Sequence, residues 1–231
     1  MITTVFFDGA GTLFHLTKPV GEHYAIVARQ LGTDLSADAL DRAFLSAWKN
    51  APVRRATDQA RQEDDKQWWR ELVDEVLKAT PDVPLDFDRA VFFEAAYTHF
   101  AAPGVWALYD DVPAVLEALA SKFTLAVISN FDRRLHLILR QLGIAHFFRH
   151  VFISSDLGAD KPDPEIYRRA LERSGVAASE AVHVGDDPEG DWGAARKAGM
   201  RVFKLERPRN SLHELPAFIA SPGTFKSRSA E

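Results

Sequence analysis

The 231-residue chain contains no cysteine. Disulfides, thiolate nucleophiles and cysteine-ligated zinc are therefore excluded. No apolar run approaches the ~18 residues that span a bilayer. The opening Met-Ile-Thr-Thr runs straight into an apolar stretch and lacks the basic, apolar and small-residue zones of a secretory leader. A basic surplus is also missing. Lys and Arg number 28 against 33 Asp and Glu, for a net charge of −5, the wrong sign for a nucleic-acid scaffold. There is no internal repeat and no low-complexity segment. The expectation is a soluble cytoplasmic protein with neither nucleic acid nor membrane as partner. Its oligomeric state is left open.

What the chain does contain is a series of short apolar runs separated by helical patterns. Residues 2–7 (ITTVFF) form the first, closed by Asp8, Gly9 and Gly11. Residues 124–129, 150–153, 181–184 and 201–205 repeat the type. Unbroken β-rich apolar runs suit strands buried on both faces, as in a parallel sheet. Between them, helices are expected over 110–121, 133–142, from Pro164 to near Gly175, and from Pro188 to Gly199. Alternating strands and helices imply an α/β fold with a doubly wound parallel sheet.

Residues 16–100 read differently, with helical periodicity and no obvious strand. Ser36 can cap a helix carrying Leu40, Phe44, Leu45 and Trp48, ended by Pro52. Trp68, Leu72, Val73, Val76 and Leu77 mark a second helix, broken by Pro81 and Pro84. A third runs from about Asp88 to Phe100. The division expected is a core of residues 1–15 and 101–231 with a helical insert over 16–100. The polar tail, 221–231, is expected to fray.

Each apolar run ends in polar residues at one edge, where open α/β sheets bind ligands. The first gives Asp8, the second Ser129 and Asn130, the stretch after the third Lys161, and the fourth Asp186, Asp187 and Asp191. Their chemistry is coherent. Carboxylates at Asp8 and Asp186 suit Mg²⁺, which prefers oxygen ligands. A cation with Lys161 can neutralise a phosphoryl group that otherwise repels an anionic nucleophile. Ser129 can hold its non-bridging oxygens, while Asp8 attacks phosphorus to form an aspartyl-phosphate.

The segments DGAGTL at 8–13, ISN at 128–130, GADKPDPEIY at 158–167 and HVGDDPEGD at 183–191 resemble motifs one to four of the haloacid dehalogenase superfamily. LTKPVGEHYAIVARQLG and KQWWRELV resemble its haloacid dehalogenase-like hydrolase domain-containing protein 3 group. The resemblance implies a Rossmann-like core with an α-helical cap, Mg²⁺ as cofactor and a small phosphorylated metabolite as substrate. It makes Asp8 nucleophile and metal ligand, and gives the Ala10 carbonyl a metal contact. It makes Thr12, Ser129 and Asn130 phosphate-binding groups. Lys161 steadies nucleophile and phosphate. Asp186 is the principal fourth-motif ligand, and Asp191 either a ligand or one step behind it, with Asp187 able to share that duty.

One position departs from the pattern. Phosphatases of this superfamily carry DxDGT, whose second Asp protonates the leaving oxygen and then activates water. Here that position is Ala10, which has no proton to give. Such help is worth typically about 10²–10⁴-fold. His15 is a nearby substitute in sequence. An L-2-haloacid dehalogenase also dispenses with this acid, because halide needs no proton, but usually carries Ser at the place of Asp186. Phosphonoacetaldehyde hydrolase has a similar first motif but needs a cap lysine, for which Lys18, Lys49, Lys66 and Lys78 are available. A fold retained for binding a ligand or a protein is the non-enzymatic alternative.

Plainer roles are expected for several residues. Asp186 or Asp187 can cap the helix at Pro188. Trp68 is expected to pack in the core, leaving Trp69 for the surface or substrate. Arg54, Arg55 and Arg61 are expected on a solvated helix face. His183, in an apolar strand, is expected to be a satisfied core histidine.

Overall fold

The structure is a computed structural model and describes residues 1–52, 54–57, 59–61 and 64–221. The expected fraying beyond 221 lies outside the described residues. In chain order the elements are β1 (Thr4–Phe7), β2 (Phe14–Leu16), α1 (Val20–Gln30), α2 (Ala37–Asn50), α3 (Asp64–Ala79), α4 (Arg89–His99), β3 (Trp106–Leu108), α5 (Val112–Ala120), β4 (Thr124–Ser129), α6 (Arg134–Gln141), β5 (Phe148–Ile153), α7 (Ser154–Leu157), α8 (Glu165–Ser174), β6 (Ala181–Gly185), α9 (Ala194–Lys197), β7 (Arg201–Lys204) and α10 (Leu215–Ala220).

Five strands form one parallel sheet in the order β5-β4-β1-β6-β7. Its middle strand, β1, is buried along its whole length, and successive side chains feed opposite faces. Val5 and Phe7 join Val127, Leu116, Leu135 and Ile138 on one face. Phe6 joins Ile128, Ile166, Tyr167 and Ala194 on the other. This is why the strand reads as continuous apolar sequence rather than as an alternation. The register sets Phe7 opposite both Val127 and Val184. The residues that follow β1, β4 and β6 therefore emerge side by side.

The helical insert leaves and rejoins the sheet layer through a short antiparallel ribbon, β2 with β3. Three-residue strands carry too little periodicity to be read from sequence, and neither was expected. Helices α1 to α4 share a separate core that includes Tyr24, Leu40, Val76 and Phe92. Ser36 caps α2 by accepting the Ala39 N–H at 3.3 Å. Asp88 caps α4 by accepting from the Ala90 and Val91 N–H groups, both at 3.0 Å.

Two sequence expectations require correction. Arg54, Arg55 and Arg61 do not lie on a helix. Only Arg55 is solvated; Arg61 is buried and pairs with Asp160 at 2.5 Å and Asp65 at 3.4 Å. Arg54 joins the same two carboxylates. The segment is held against the sheet layer, with the Thr57 N–H on the Gly158 carbonyl and the Arg61 N–H on the Ser155 carbonyl, both at 2.7 Å. Gly158 permits this approach: its φ is +69°, and a Cβ there would overlap the backbone of residues 57 and 59. Trp68, expected in the core, is half-buried between Trp48 and the Arg54 guanidinium. Trp69 instead packs against the core of the insert. Among the described residues, no helix is long and apolar enough to cross a membrane.

Candidate active site

The strand ends bring the sequence-expected residues to one place. Asp8 follows β1, and its N–H donates to the Val184 carbonyl at 2.8 Å, fixing the turn out of the sheet. Lys161 Nζ donates to Asp8 Oδ1 and to Asp191 Oδ1, each at 2.6 Å. Ser129 Oγ donates to the same Asp8 oxygen at 3.3 Å. Asn130 clamps the lysine's backbone. Its Oδ1 accepts the Lys161 N–H at 2.7 Å, and its Nδ2 donates to the Lys161 carbonyl at 2.9 Å. Thr12 Oγ1 donates to Asp186 Oδ1 at 3.1 Å. Thus Thr12 and Asn130 each hold a neighbour within the site. Ala10 lines the cavity beside Asp8 and Gly11.

Asp191 is the most fully engaged carboxylate. Its Oδ1 also receives His183 Nε2 at 2.8 Å and the Tyr167 hydroxyl at 3.3 Å, and its Oδ2 accepts the Asp187 N–H at 3.0 Å. His183 is fully buried and also meets the Tyr167 hydroxyl at 3.1 Å, so it is a core histidine partnered through Nε2, while its buried Nδ1 has no partner among the described residues. Tyr167 was not foreseen. It sits on α8, and only tertiary packing places it under Asp191. Asp187 caps a π-type turn, Pro188–Gly193, by accepting from the Glu189 N–H at 2.9 Å and from the Gly190 N–H. The helix expected over 188–199 is this wider turn followed by the short α9.

Burial and charge shape the site's protonation. Burial pushes Asp8 up to about 7 against the pull of Lys161, with Asp191 and Asp186 adding to the rise. Burial also raises Asp186, partly offset by the Thr12 hydroxyl. Burial would raise Asp191 too, but Lys161 and His183 overcome it and hold it well below the ordinary carboxylate range. Burial works against the Lys161 charge, yet Asp191 and Asp8 keep its ammonium protonated far above the usual lysine range.

The donor set fits a divalent cation. Asp8, Asp186 and Asp191 each bring a carboxylate oxygen within 4.8 Å of one another, an all-oxygen set of the kind Mg²⁺ prefers. Gly11 makes room for the Asp186 carboxylate. Its φ is +93°, and a Cβ there would overlap the Asp186 carboxylate. Asp191's oxygens already accept hydrogen bonds, which leaves Asp8 and Asp186 the freer donors.

A cavity of about 710 Å³ opens from this cluster toward the insert and is lined by Asp8, Asp186 and Lys161 together with His15, Tyr109 and aromatic residues of the helices. His15 Nδ1 lies 2.8 Å from the Leu16 carbonyl, and the ring packs on Tyr109. Lys18, Lys49, Lys66 and Lys78 do not line the cavity, where Lys161 is the lysine among the described residues. Lys18 instead pairs with Glu22, Lys66 with Glu94, and Lys78 with Asp74 and Glu75.

The fold is of the α/β class with a helical insert, and a cluster of three carboxylates and a lysine lies at the carboxyl edge of its sheet. Residues 2–199 match the haloacid dehalogenase-like hydrolase family, and the chain belongs to it. It is 34% identical over 206 residues to haloacid dehalogenase-like hydrolase domain-containing protein 3 of Danio rerio, covering 88% of this chain and 84% of that protein. It is 31% identical over 232 residues to glyceraldehyde 3-phosphate phosphatase of Methanopyrus kandleri, covering 94% and 92%. The solved structure of the Bacillus subtilis HAD-hydrolase YfnB, bound to magnesium, superposes with a TM-score of 0.77 over 94% of this chain and 98% of that one, at 18% identity.

Proposed function

We propose that the protein is a Mg²⁺-dependent phosphatase of a small phosphorylated metabolite, acting through an aspartyl-phosphate on Asp8. The observation that carries this reading is the Lys161 ammonium, held 2.6 Å from both Asp8 and Asp191 inside a cluster of three carboxylates. The phosphatase relative from Methanopyrus kandleri supports the same chemistry. The helical insert, 16–100, acts as a cap over residues 1–15 and 101–231.

Asp8 and Asp186 would hold the metal together with the Ala10 carbonyl, and Asp191 would anchor Lys161 from behind. When bound, Mg²⁺ supplies positive charge that offsets repulsion between the carboxylates and the phosphoryl oxygens. Lys161 orients Asp8 and adds a second positive charge at the phosphoryl group. Ser129, next to Asp8, donates to a phosphoryl oxygen. Asn130 fixes the lysine backbone, and Thr12 fixes Asp186. Asp8 attacks phosphorus, and water later releases the phosphate from Asp8. At Ala10 no side chain protonates the leaving oxygen. A 2-haloacid fits less well, because its carboxylate would enter a cluster of three acids that its chemistry does not need.

The test is a panel of phosphate esters with and without Mg²⁺, run on the native chain, Asp8→Asn and Ala10→Asp. Turnover should require Mg²⁺ and vanish in Asp8→Asn. Ala10→Asp should raise the rate on alkyl phosphates by about 10²-fold or more. Turnover that survives Asp8→Asn, or halide release from 2-haloacids without metal, would overturn the assignment.

A further inference from the structure

Two features of the cavity bear on what leaves the phosphorus. The first is its wall. Beyond the carboxylates it is built from rings, among them Phe44, Trp48, Trp69, Phe93, Phe100 and Trp106. Trp48 lies nearly parallel to both Phe44 and Trp69, at centroid distances of 5.8 and 5.9 Å and interplanar angles of 30° and 28°. It is also half exposed, at 51%. Trp48 and Trp69 both line the cavity, and aromatic rings prefer aromatic partners.

The second is its charge. The cation that Arg134 brings to the cap side is already neutralised. Nε and Nη2 grip both oxygens of Asp132 at 2.7–3.1 Å, and the guanidinium carbon lies 3.6 Å from the Tyr97 ring centroid. The Tyr97 hydroxyl donates to Asp132 at 3.1 Å, and Trp106 Nε1 donates to the Phe100 carbonyl at 2.8 Å. The Arg134 guanidinium, the Tyr97 hydroxyl and the Trp106 N–H of this wall are thus engaged with protein partners. A polyhydroxylated or charged leaving group would find few partners among them, and burying its polar groups unpaired is costly. The volume of about 710 Å³ falls in the upper half of the ~300–1,000 Å³ range of ligand pockets, more than a triose phosphate fills.

Ala10 adds a chemical reason that points the same way. Without a general acid, the leaving oxygen departs with the electron pair of the P–O bond and no proton. An alkoxide, akin to hydroxide with its parent pKa of about 16, leaves poorly under those terms. A phenolate, whose parent has a pKa of about 10, leaves readily. We propose that the substrate is an aryl phosphate monoester whose uncharged ring system lies against Trp48 and Trp69. Asp8 Oδ bonds to phosphorus as the P–O(aryl) bond breaks, and the aryl oxide takes its proton from solvent. Water then adds to phosphorus, restoring the Asp8 carboxylate and releasing inorganic phosphate.

This inference rests on the phosphatase reading, and the experiment separates the two. With Mg²⁺, the native chain should cleave 2-naphthyl phosphate at least about 100-fold better in kcat/KM than glyceraldehyde 3-phosphate. Ala10→Asp should narrow that ratio to below about 10-fold by raising the alkyl ester. Trp48→Ala should raise KM for 2-naphthyl phosphate about 5- to 10-fold, several-fold more than it raises KM for acetyl phosphate. By calorimetry, Asp8→Asn protein should bind naphthylmethylphosphonate, and more weakly when Trp48→Ala is added. Glyceraldehyde 3-phosphate cleaved as well as the aryl ester, or a KM indifferent to Trp48, overturns the inference and leaves the phosphatase reading intact. Trp48-dependent phosphonate binding with no ester cleaved supports the ligand class and sinks the phosphatase reading.

Discussion

Replacing Asp8 by Asn should stabilise the metal-free protein while abolishing its chemistry. Burial, reinforced by Asp191 and Asp186, raises the Asp8 carboxyl from 3.8 to about 7, despite Lys161. The folded state therefore binds more protons than the unfolded chain between those values. The sign follows: Asp8's contribution to stability is fully present below pH 3.8 and is lost as pH rises through about 7. A shift of roughly three units, at about 1.36 kcal/mol each, makes the ionised carboxylate a burden on the order of a few kcal/mol at pH 8. Asn keeps the shape and an acceptor oxygen without the charge, and Lys161 retains Asp191 at 2.6 Å. For a chain of this size about 1 kcal/mol moves Tm by roughly 2–4 °C, so a rise of about 5–10 °C is expected. The assay is thermal unfolding in a chelating buffer at pH 8, repeated at pH 5 and with added Mg²⁺. At pH 5 the gap should shrink, because native Asp8 is then protonated. With Mg²⁺ it should shrink again, because a cation stabilises the native carboxylate. An Asp8→Asn protein that melts no higher than the native chain at pH 8 without metal would refute the reasoning.

Arg61→Met should lower stability by about 3 kcal/mol, because Asp160 and Asp65 lose a buried partner while Arg54 still reaches both. Thermal unfolding checks it, and adding Asp160→Asn should recover part of the loss. A second expectation concerns acid. Burial, then the neighbouring His99, lowers His23 to about 4 from 6.5, so its neutral form is the one the fold holds. That contribution is present above pH 6.5 and is lost as pH falls toward 4, opposite in sign to Asp8. His23→Gln, which cannot titrate, should therefore lose less Tm than the native chain between pH 7 and pH 5.

The sheet and the grouping of the candidate site residues were legible in the sequence for one shared reason. Strands buried on both faces leave uninterrupted apolar runs, and their polar ends are forced to one edge. Asp8, Ser129 and Asp186 could be read as a group because each closes such a run, and Lys161 joins them from the stretch after the third. What escaped depends on contacts between distant segments. Arg61 looks like any surface arginine until the insert folds back onto the loop before Lys161. Tyr167 and His183 look like core residues, and they are, but their polar atoms also hold Asp191. Asn130, expected as a phosphate donor, is also tied to the Lys161 backbone. The first helix of the insert, α1, and the β2–β3 ribbon had no distinct signal, since one lies in a general helical periodicity and the other is three residues long on each side. Nor does the order of residues reveal that Trp48 and Trp69, 21 positions apart, face one cavity.

The most direct test of the central claim is to look for the covalent intermediate. Native protein mixed with Mg²⁺ and an aryl phosphate, quenched in acid and digested, should show a phosphoryl adduct on the peptide containing Asp8. The adduct should be absent without Mg²⁺ and in Asp8→Asn. Steady release of phosphate with no adduct on that peptide, or an adduct on another residue, would contradict the assignment of Asp8 as the nucleophile.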